Sequence, residues 1–186
     1  MLTPNAEHPI VRTGTRVVYD NPYMRVIEDN IQRLDGTTGI YSYIEKPDFA
    51  LVIAAENDGF HMVEQYRYPV RDRSLEFVQG TFPNGADGDP FQLAHDELQQ
   101  ETGFTAATMR HLGRLNCAKG MSSQGFNVFL ATDLTPGIPD LEVEEQDLTH
   151  RWLPRTQVED LIRSGGITDD STLAAYTLYL LMGSGR

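Results

Sequence analysis

Apolar and polar positions alternate along most of this chain and switch to helical spacing in only three places. Ile40, Ser42 and Ile44 alternate with Tyr41, Tyr43 and Glu45, the period of a strand with two unlike faces. Strand-like runs at Thr15–Val18, Met24–Asp29 and Thr38–Ile44 are separated by turn signals at Asn21-Pro22 and Asp35-Gly36. Residues 1–12 are polar, carry two prolines and are expected to fray. Ala50–Ala55 is apolar without interruption, which suits a strand covered on both faces. Asn57-Asp58-Gly59 then predicts a tight turn into a partner strand over Phe60–Tyr66. Ser74–Val78, Met109–Leu115, Phe126–Thr132 and His150–Leu153 read as further strands, with a Pro/Gly turn over Thr135–Pro139.

The first helical segment opens at Asp89-Pro90, an N-cap followed by a residue whose φ is already helical. Gln92 stands where a variant capping box would need it. Phe91, Ala94 and Leu98 form its apolar stripe, and Gly103 is placed to end it. Thr156 and Glu159 predict a capping box for a second helix bearing Val158, Leu161 and Ile162, closed by Gly165. A third helix is expected over Ser171–Met182. Strands, hairpin, helix, strands, helix, helix predicts an α/β protein with a mixed sheet between helices rather than a doubly wound parallel one.

Length and composition narrow the class. The chain's 186 residues suffice for one domain and a small appendage. No 18-residue apolar run and no basic-then-apolar start is present, so neither a membrane span nor a secretory signal is expected. Cys117 is the only cysteine; it has no intramolecular disulfide partner and reads as a small buried apolar residue. A cytoplasmic protein follows. The net charge of −12 disfavours nucleic-acid binding, which needs a basic footprint. A small anionic substrate remains compatible if cations and local arginines offset the repulsion.

Candidate chemistry concentrates in Gly80–Phe104, GTFPNGADGDPFQLAHDELQQETGF. Glu97 and Glu101 are four apart on the expected helix and so share a face. Paired carboxylates of this kind, next to a glycine-rich loop that admits close backbone approach, suit Mg²⁺ held against phosphate. A solvated acidic helix face is the plain alternative. His95 lacks a ligand partner at helical spacing and reads as an ordinary helix residue, and Trp152 as a core or dimer contact.

The same segment resembles a Nudix box, in which Gly, five residues, Glu and seven residues precede Arg-Glu-U-x-Glu-Glu-x-Gly-U, U being bulky and apolar. Glu97, Leu98, Glu101, Gly103 and Phe104 are in register; Gly80 matches if the loop after it carries two extra residues. Three positions depart, so the box is degenerate: Gly88 replaces the upstream Glu, Asp96 the Arg, and Gln100 the first Glu of the pair. The flanks Val63–Val70 and Leu75–Gly80, then Lys119–Gln124, Glu142–Asp147 and Gly166–Asp169, resemble ADP-ribose pyrophosphatases in chain order.

That resemblance implies a Nudix α/β/α sandwich over residues 46–186, preceded by an N-terminal antiparallel β appendage over residues 1–45 that serves dimerisation. It implies Mg²⁺ or Mn²⁺ as cofactor, held by Glu97 and Glu101 with a backbone carbonyl at Gln79 or Gly80. It implies hydrolysis of the diphosphate in ADP-ribose or a related nucleoside diphosphate sugar, in a homodimer. The general base falls on Glu144 or Glu145, which a loop shift of one residue exchanges; Glu97 completes the catalytic set. Arg67 matches a phosphate-contacting arginine, with Gln65, Glu76 and Gln124 as further substrate-side candidates. Asp96, four residues before Gln100, is a candidate to restore the missing carboxylate. The competing readings are a degenerate Nudix domain that binds a nucleotide sugar without turnover, as a sensor, and a structural or interaction protein.

Overall fold

The computed structural model describes residues 3–82 and 88–183; residues 83–87, the middle of the glycine-rich loop, lie outside them. The described residues divide into two compact units, one made of residues up to Pro47 with Asn116–Gly125, the other of residues 48–82, 88–115 and 126–183.

The first unit is an antiparallel sheet of β1 (Ile10–Asn21), β2 (Met24–Arg33) and β3 (Thr38–Glu45) in that order. β1 starts at Ile10, inside the segment expected to fray, because Ile10–Arg12 already pair with Ile31–Arg33. Bulges between Arg12 and Gly14 and between Val17 and Tyr19 interrupt its register. β3 is extended by the 118–124 segment: Ile44 N–H donates to Met121 O at 2.8 Å and Ser123 N–H to Ile44 O at 3.0 Å.

The second unit is built on a mixed sheet. It contains β4 (Phe49–Glu56), β5 (Gly59–Arg67), β6 (Asp72–Glu76), β7 (Val78–Thr81), β8 (Thr105–Asn116), β9 (Gly125–Thr135) and β10 (Thr149–Pro154). The strand path is β10-β5-β4-β9-β8, with β6 on β5 and β7 on β4. β4 and β9 run parallel; β4–β5, β4–β7, β5–β6 and β5–β10 are antiparallel. The 74–78 run expected as one strand is two. Phe77 leaves the ladder between them because its N–H goes to the Thr172 hydroxyl at 3.0 Å.

α1 (Pro90–Thr102) covers one face of the sheet. Its Leu93, Ala94 and Leu98 meet Ala50, Val52 and Ala54 of β4, with Val63, Val78 and Phe129 around them. The intervening Leu51 and Ile53 are fully buried too, so β4 is covered on both faces, as its unbroken apolar run requires. α3 (Asp170–Leu178) packs on β4, and its Tyr176 meets Phe60 edge-on. α2 (Arg155–Ser164) lies against β10 and β5.

Asp89 caps α1 by accepting from Phe91 N–H at 3.0 Å, and Gly103 ends it at φ +78°, donating to Gln99 O. Gln92 does not close a capping box; its amide donates to Asp96 at 2.8 Å. Nor do Thr156 and Glu159. The N-cap of α2 is Pro154, two residues before Thr156, and Glu159 instead accepts from the Tyr176 hydroxyl at 2.8 Å. α3 ends at Leu178 and continues as a wider π turn over Tyr179–Gly183. Among the described residues, no helix is long and apolar enough to cross a membrane.

Candidate active site

The buried face of α1 carries Leu93, Ala94, Glu97, Leu98 and Glu101, so helical periodicity drives two carboxylates into the same face that seals the core. Glu97 is 7% exposed and Glu101 1%. A third carboxylate arrives from the loop before β10, where Val143–Glu145 form one 3-10 turn. Oxygens of Glu97, Glu101 and Glu145 lie within 4.8 Å of one another. Glu144, on the same turn, is exposed and outside this group.

Like charges this close and this dry resist ionising together. Burial, and then the charges of Glu145, Glu142 and Asp96, push Glu97 up to about 8. Burial and then Glu97 and Glu145 push Glu101 well above the carboxylate range, although Arg67 and the backbone N–H of Gln79 pull it down. Burial raises Glu145 as well. Glu101 Oε2 is buried without a hydrogen-bond partner. Three converging carboxylates with an orphaned buried oxygen form the hard, anionic oxygen set that a divalent cation takes.

β7 closes the site from below. A Cβ on Gly80 would lie 2.2–2.3 Å from all three carboxyl atoms of Glu97, so only glycine leaves room for that side chain. Gln79 supplies its backbone N–H to Glu101, and its side-chain amide donates to Glu76 at 2.5 Å. Glu76 is itself 1% exposed and grips Arg67 through both of its oxygens, one at 2.9 Å from Arg67 Nε. This fork-to-fork pair holds Arg67 on the acidic side of the sheet. Gln65, two residues earlier on β5, shares that strand face and is half-buried opposite Ser74 of β6.

Of the three box departures, the one at Gly88 has a local cause. Gly88 is crowded by Phe82, whose ring atoms would lie 2.4–2.8 Å from an added Cβ; a Glu there collides with an aromatic that packs on the core. Asp96 does not restore a carboxylate to the site: it is exposed, accepts from Gln92 and stands outside the group of three. Gln100 is half-buried, and its carbonyl accepts from Asp140 N–H at 2.9 Å, tying the acidic loop to the end of α1. Gln124 is held in the first unit by donating to Pro47 O at 2.8 Å.

Three groups near these elements were given no role by the sequence. Asp169, the N-cap of α3, accepts from Thr172 N–H at 2.7 Å, and burial raises its carboxyl. Asp147 accepts from Tyr66 N–H and from Arg73. His61 and His150 share a 2.8 Å ring-nitrogen hydrogen bond across β5 and β10. The Asp147 and His61–His150 bonds depend on partners far apart in sequence, and the segments Glu142–Asp147 and Gly166–Asp169 pointed to the neighbourhoods of Asp147 and Asp169 without assigning either a contact.

A family model described as the nucleoside diphosphate sugar hydrolase N-terminal domain matches residues 11–44. The ADP-ribose pyrophosphatase of Mycobacterium tuberculosis is 27% identical over 171 residues, covering 91% of this chain and 82% of that protein. The CMP-5'-(N-acetyl-N-hydroxy-3-aminopropyl)phosphonate hydrolase of Streptomyces rubellomurinus is 26% identical over 93% of this chain and 83% of its own. Among solved structures, one titled as that of an ADP compounds hydrolase superposes with a TM-score of 0.83 over the whole of both chains at 20% identity. This chain is similar to ADP-ribose pyrophosphatase-like Nudix hydrolases. The degenerate box thus belongs to a chain with the fold of that ADP compounds hydrolase, with a mixed sheet, the helix α1 and an antiparallel N-terminal sheet.

Proposed function

We propose that this chain is a Nudix hydrolase that cleaves the diphosphate of ADP-ribose or a related nucleoside diphosphate sugar, and that it needs Mg²⁺ or Mn²⁺ to do so. The observation that carries the reading is the convergence of Glu97, Glu101 and Glu145 beside the Arg67–Glu76 pair. Glu97 and Glu101 would hold the cation, with backbone of Gln79–Gly80 lining the same floor. When bound, such an ion neutralises phosphate oxygens and acidifies the attacking water. Arg67 binds the substrate's phosphate, since Glu76 takes only part of the N–H capacity of its fork. Glu145 accepts the proton of the attacking water. Its raised carboxyl, poised nearer neutrality than a free one, suits a general base. Glu144 is the one-residue alternative, and Glu145→Gln against Glu144→Gln separates the two.

The test is a turnover panel over ADP-ribose, other nucleoside diphosphate sugars and dinucleotides with each metal. Wild-type turnover lost in Glu101→Gln is the expected result. Tight binding of one compound without turnover would instead favour the sensor reading, which the missing box charges at Gly88, Asp96 and Gln100 make the natural competitor. The reading includes a cytoplasmic location and a homodimer through residues 1–45, an appendage to the 46–186 hydrolase domain. Val17, Val18, Tyr19 and Ile40 of β1 and β3 are exposed apolar groups available to a second copy. A monomer by light scattering at micromolar concentration would overturn the dimer.

A further inference from the structure

The acidic loop has no regular secondary structure beyond one turn, yet Glu145 must meet α1 to within a few ångströms. Its tether lies on the opposite face of β5 from Arg67. Arg73 of β6 faces Tyr66 of β5 across the ladder, and its side chain reaches over β5 in two directions. Its Nε donates to Glu64 Oε1 at 2.9 Å. Its Nη1 donates to Asp147 Oδ2 at 3.1 Å, and its Nη2 to the backbone oxygens of Glu64 and Asp147, each at 3.1 Å. Asp147 Oδ2 also accepts the backbone N–H of Tyr66 at 2.8 Å. Arg151 of β10 completes the ladder by donating to Glu64 Oε2 at 2.8 Å without touching Asp147.

The carboxylate of Asp147 is therefore locked at the residue immediately before Arg67, two residues after Glu145. The Asp140–Gln100 backbone bond anchors the loop's start, and Leu148, buried against the core, anchors its end. Between those anchors, Asp147 is the point that sets where the 3-10 turn stands relative to β5.

We propose that Asp147 and Arg73 are positioning residues that hold Glu145 and Arg67 in mutual register. The clamp converts a loop carboxylate and a strand arginine into one preorganised unit. The proposal rests on Glu145 belonging to the catalytic site, and it concerns placement, not contact with substrate.

The test uses Asp147→Ala, Arg73→Gln, their double variant, Asp147→Asn and Arg151→Gln. Each is measured for kcat and KM on ADP-ribose with Mg²⁺, for Mn²⁺ affinity by electron paramagnetic resonance, and for Tm. A misplaced group of this kind costs about 10- to 100-fold. That loss is expected in kcat for Asp147→Ala and Arg73→Gln, with KM nearly unchanged because Glu76 still holds Arg67, and with Mn²⁺ bound more weakly because Glu145 is the third carboxylate converging with Glu97 and Glu101. The double variant should be no worse than the worse single one, because both act through one clamp. Asp147→Asn keeps an acceptor for Tyr66 N–H and should recover part of the loss. Arg151→Gln removes a rung of the same ladder and should leave kcat near wild type. Unchanged kcat in Asp147→Ala overturns the proposal, as does an equal loss in Arg151→Gln, which would mean general weakening of the sheet edge. If the wild type turns over no substrate, the hydrolase reading fails by itself. The clamp is then judged on Mn²⁺ affinity, where equal values for wild type and Asp147→Ala overturn it.

Discussion

Gly80→Ala is the sharpest test of the site's geometry. The added methyl would sit 2.2 Å from the Glu97 carboxyl carbon and one of its oxygens, whereas ordinary contact begins at 3.4 Å. Glu97 must retreat by roughly 1.2 Å, since β7 is paired to β4 at this residue and its backbone gives little. A displacement near 1 Å at a reacting centre costs on the order of 100-fold in rate. A ligand moved off its position costs about 10- to 100-fold in metal affinity. The stability penalty is smaller, roughly 1–3 kcal/mol for one excess methyl in a packed site. Manganese titration with kcat and thermal melts separates these effects: affinity and rate collapse while the fold survives. Adding Glu97→Asp, which shortens the side chain by one methylene, should return part of the Mn²⁺ affinity. Wild-type affinity and rate in Gly80→Ala would refute the placement of Glu97 over Gly80, and with it the floor of the proposed site.

Further expectations concern charge. Glu97 is raised to about 8 from 4.5, so its contribution to stability is complete below the lower value and lost as pH rises through the upper one. Metal-free protein should therefore melt at lower temperature at pH 8 than at pH 6, Glu97→Gln should flatten that slope, and Mn²⁺ binding at pH 7 should release protons, measurable by calorimetry in two buffers. His61 and His150 have the opposite sign. Burial lowers both below 6.5, partly offset at His61 by Glu56, so stability is full above pH 6.5 and falls as pH drops below it; a pH-melting series in which His61→Gln keeps the same acid slope would refute this. Arg67→Ala strands Glu76, whose side chain is 2% exposed while that of Arg67 is 39% exposed. The expected cost is about 3 kcal/mol, at the low end for a broken buried pair, together with a higher KM; unchanged denaturant midpoint and KM would contradict it.

What could be read from the chain follows physical locality. α1 was legible at both ends because its caps are local: Asp89 accepts from a residue two positions on, and Gly103 needs only its own positive φ. β4 was legible because a strand dry on both faces must be apolar throughout. The errors occur where a distant partner outbid a local one. Thr156 and Glu159 fit a capping box, but Glu159 is taken by Tyr176 of α3. Ser74–Val78 fits one strand, but Thr172 of α3 takes the Phe77 amide.

The candidate site divides the same way. Helical periodicity alone put Glu97 and Glu101 on one face, and motif order brought Arg67 and the acidic loop into view. Nothing in the order of residues could choose between Glu144 and Glu145, because a loop has no repeat to set its phase. What the tertiary structure adds is placement: Glu145, not Glu144, stands with Glu97 and Glu101, in a loop held by Asp140 on Gln100, Asp147 on Tyr66 and Leu148 in the core. The same holds for Asp96: four residues before Gln100 it looked placed to restore a lost charge, yet the helix face it occupies is exposed. Spacing along a helix decides which side chains share a side; only packing decides which side is buried, and burial is what makes three converging carboxylates a candidate site.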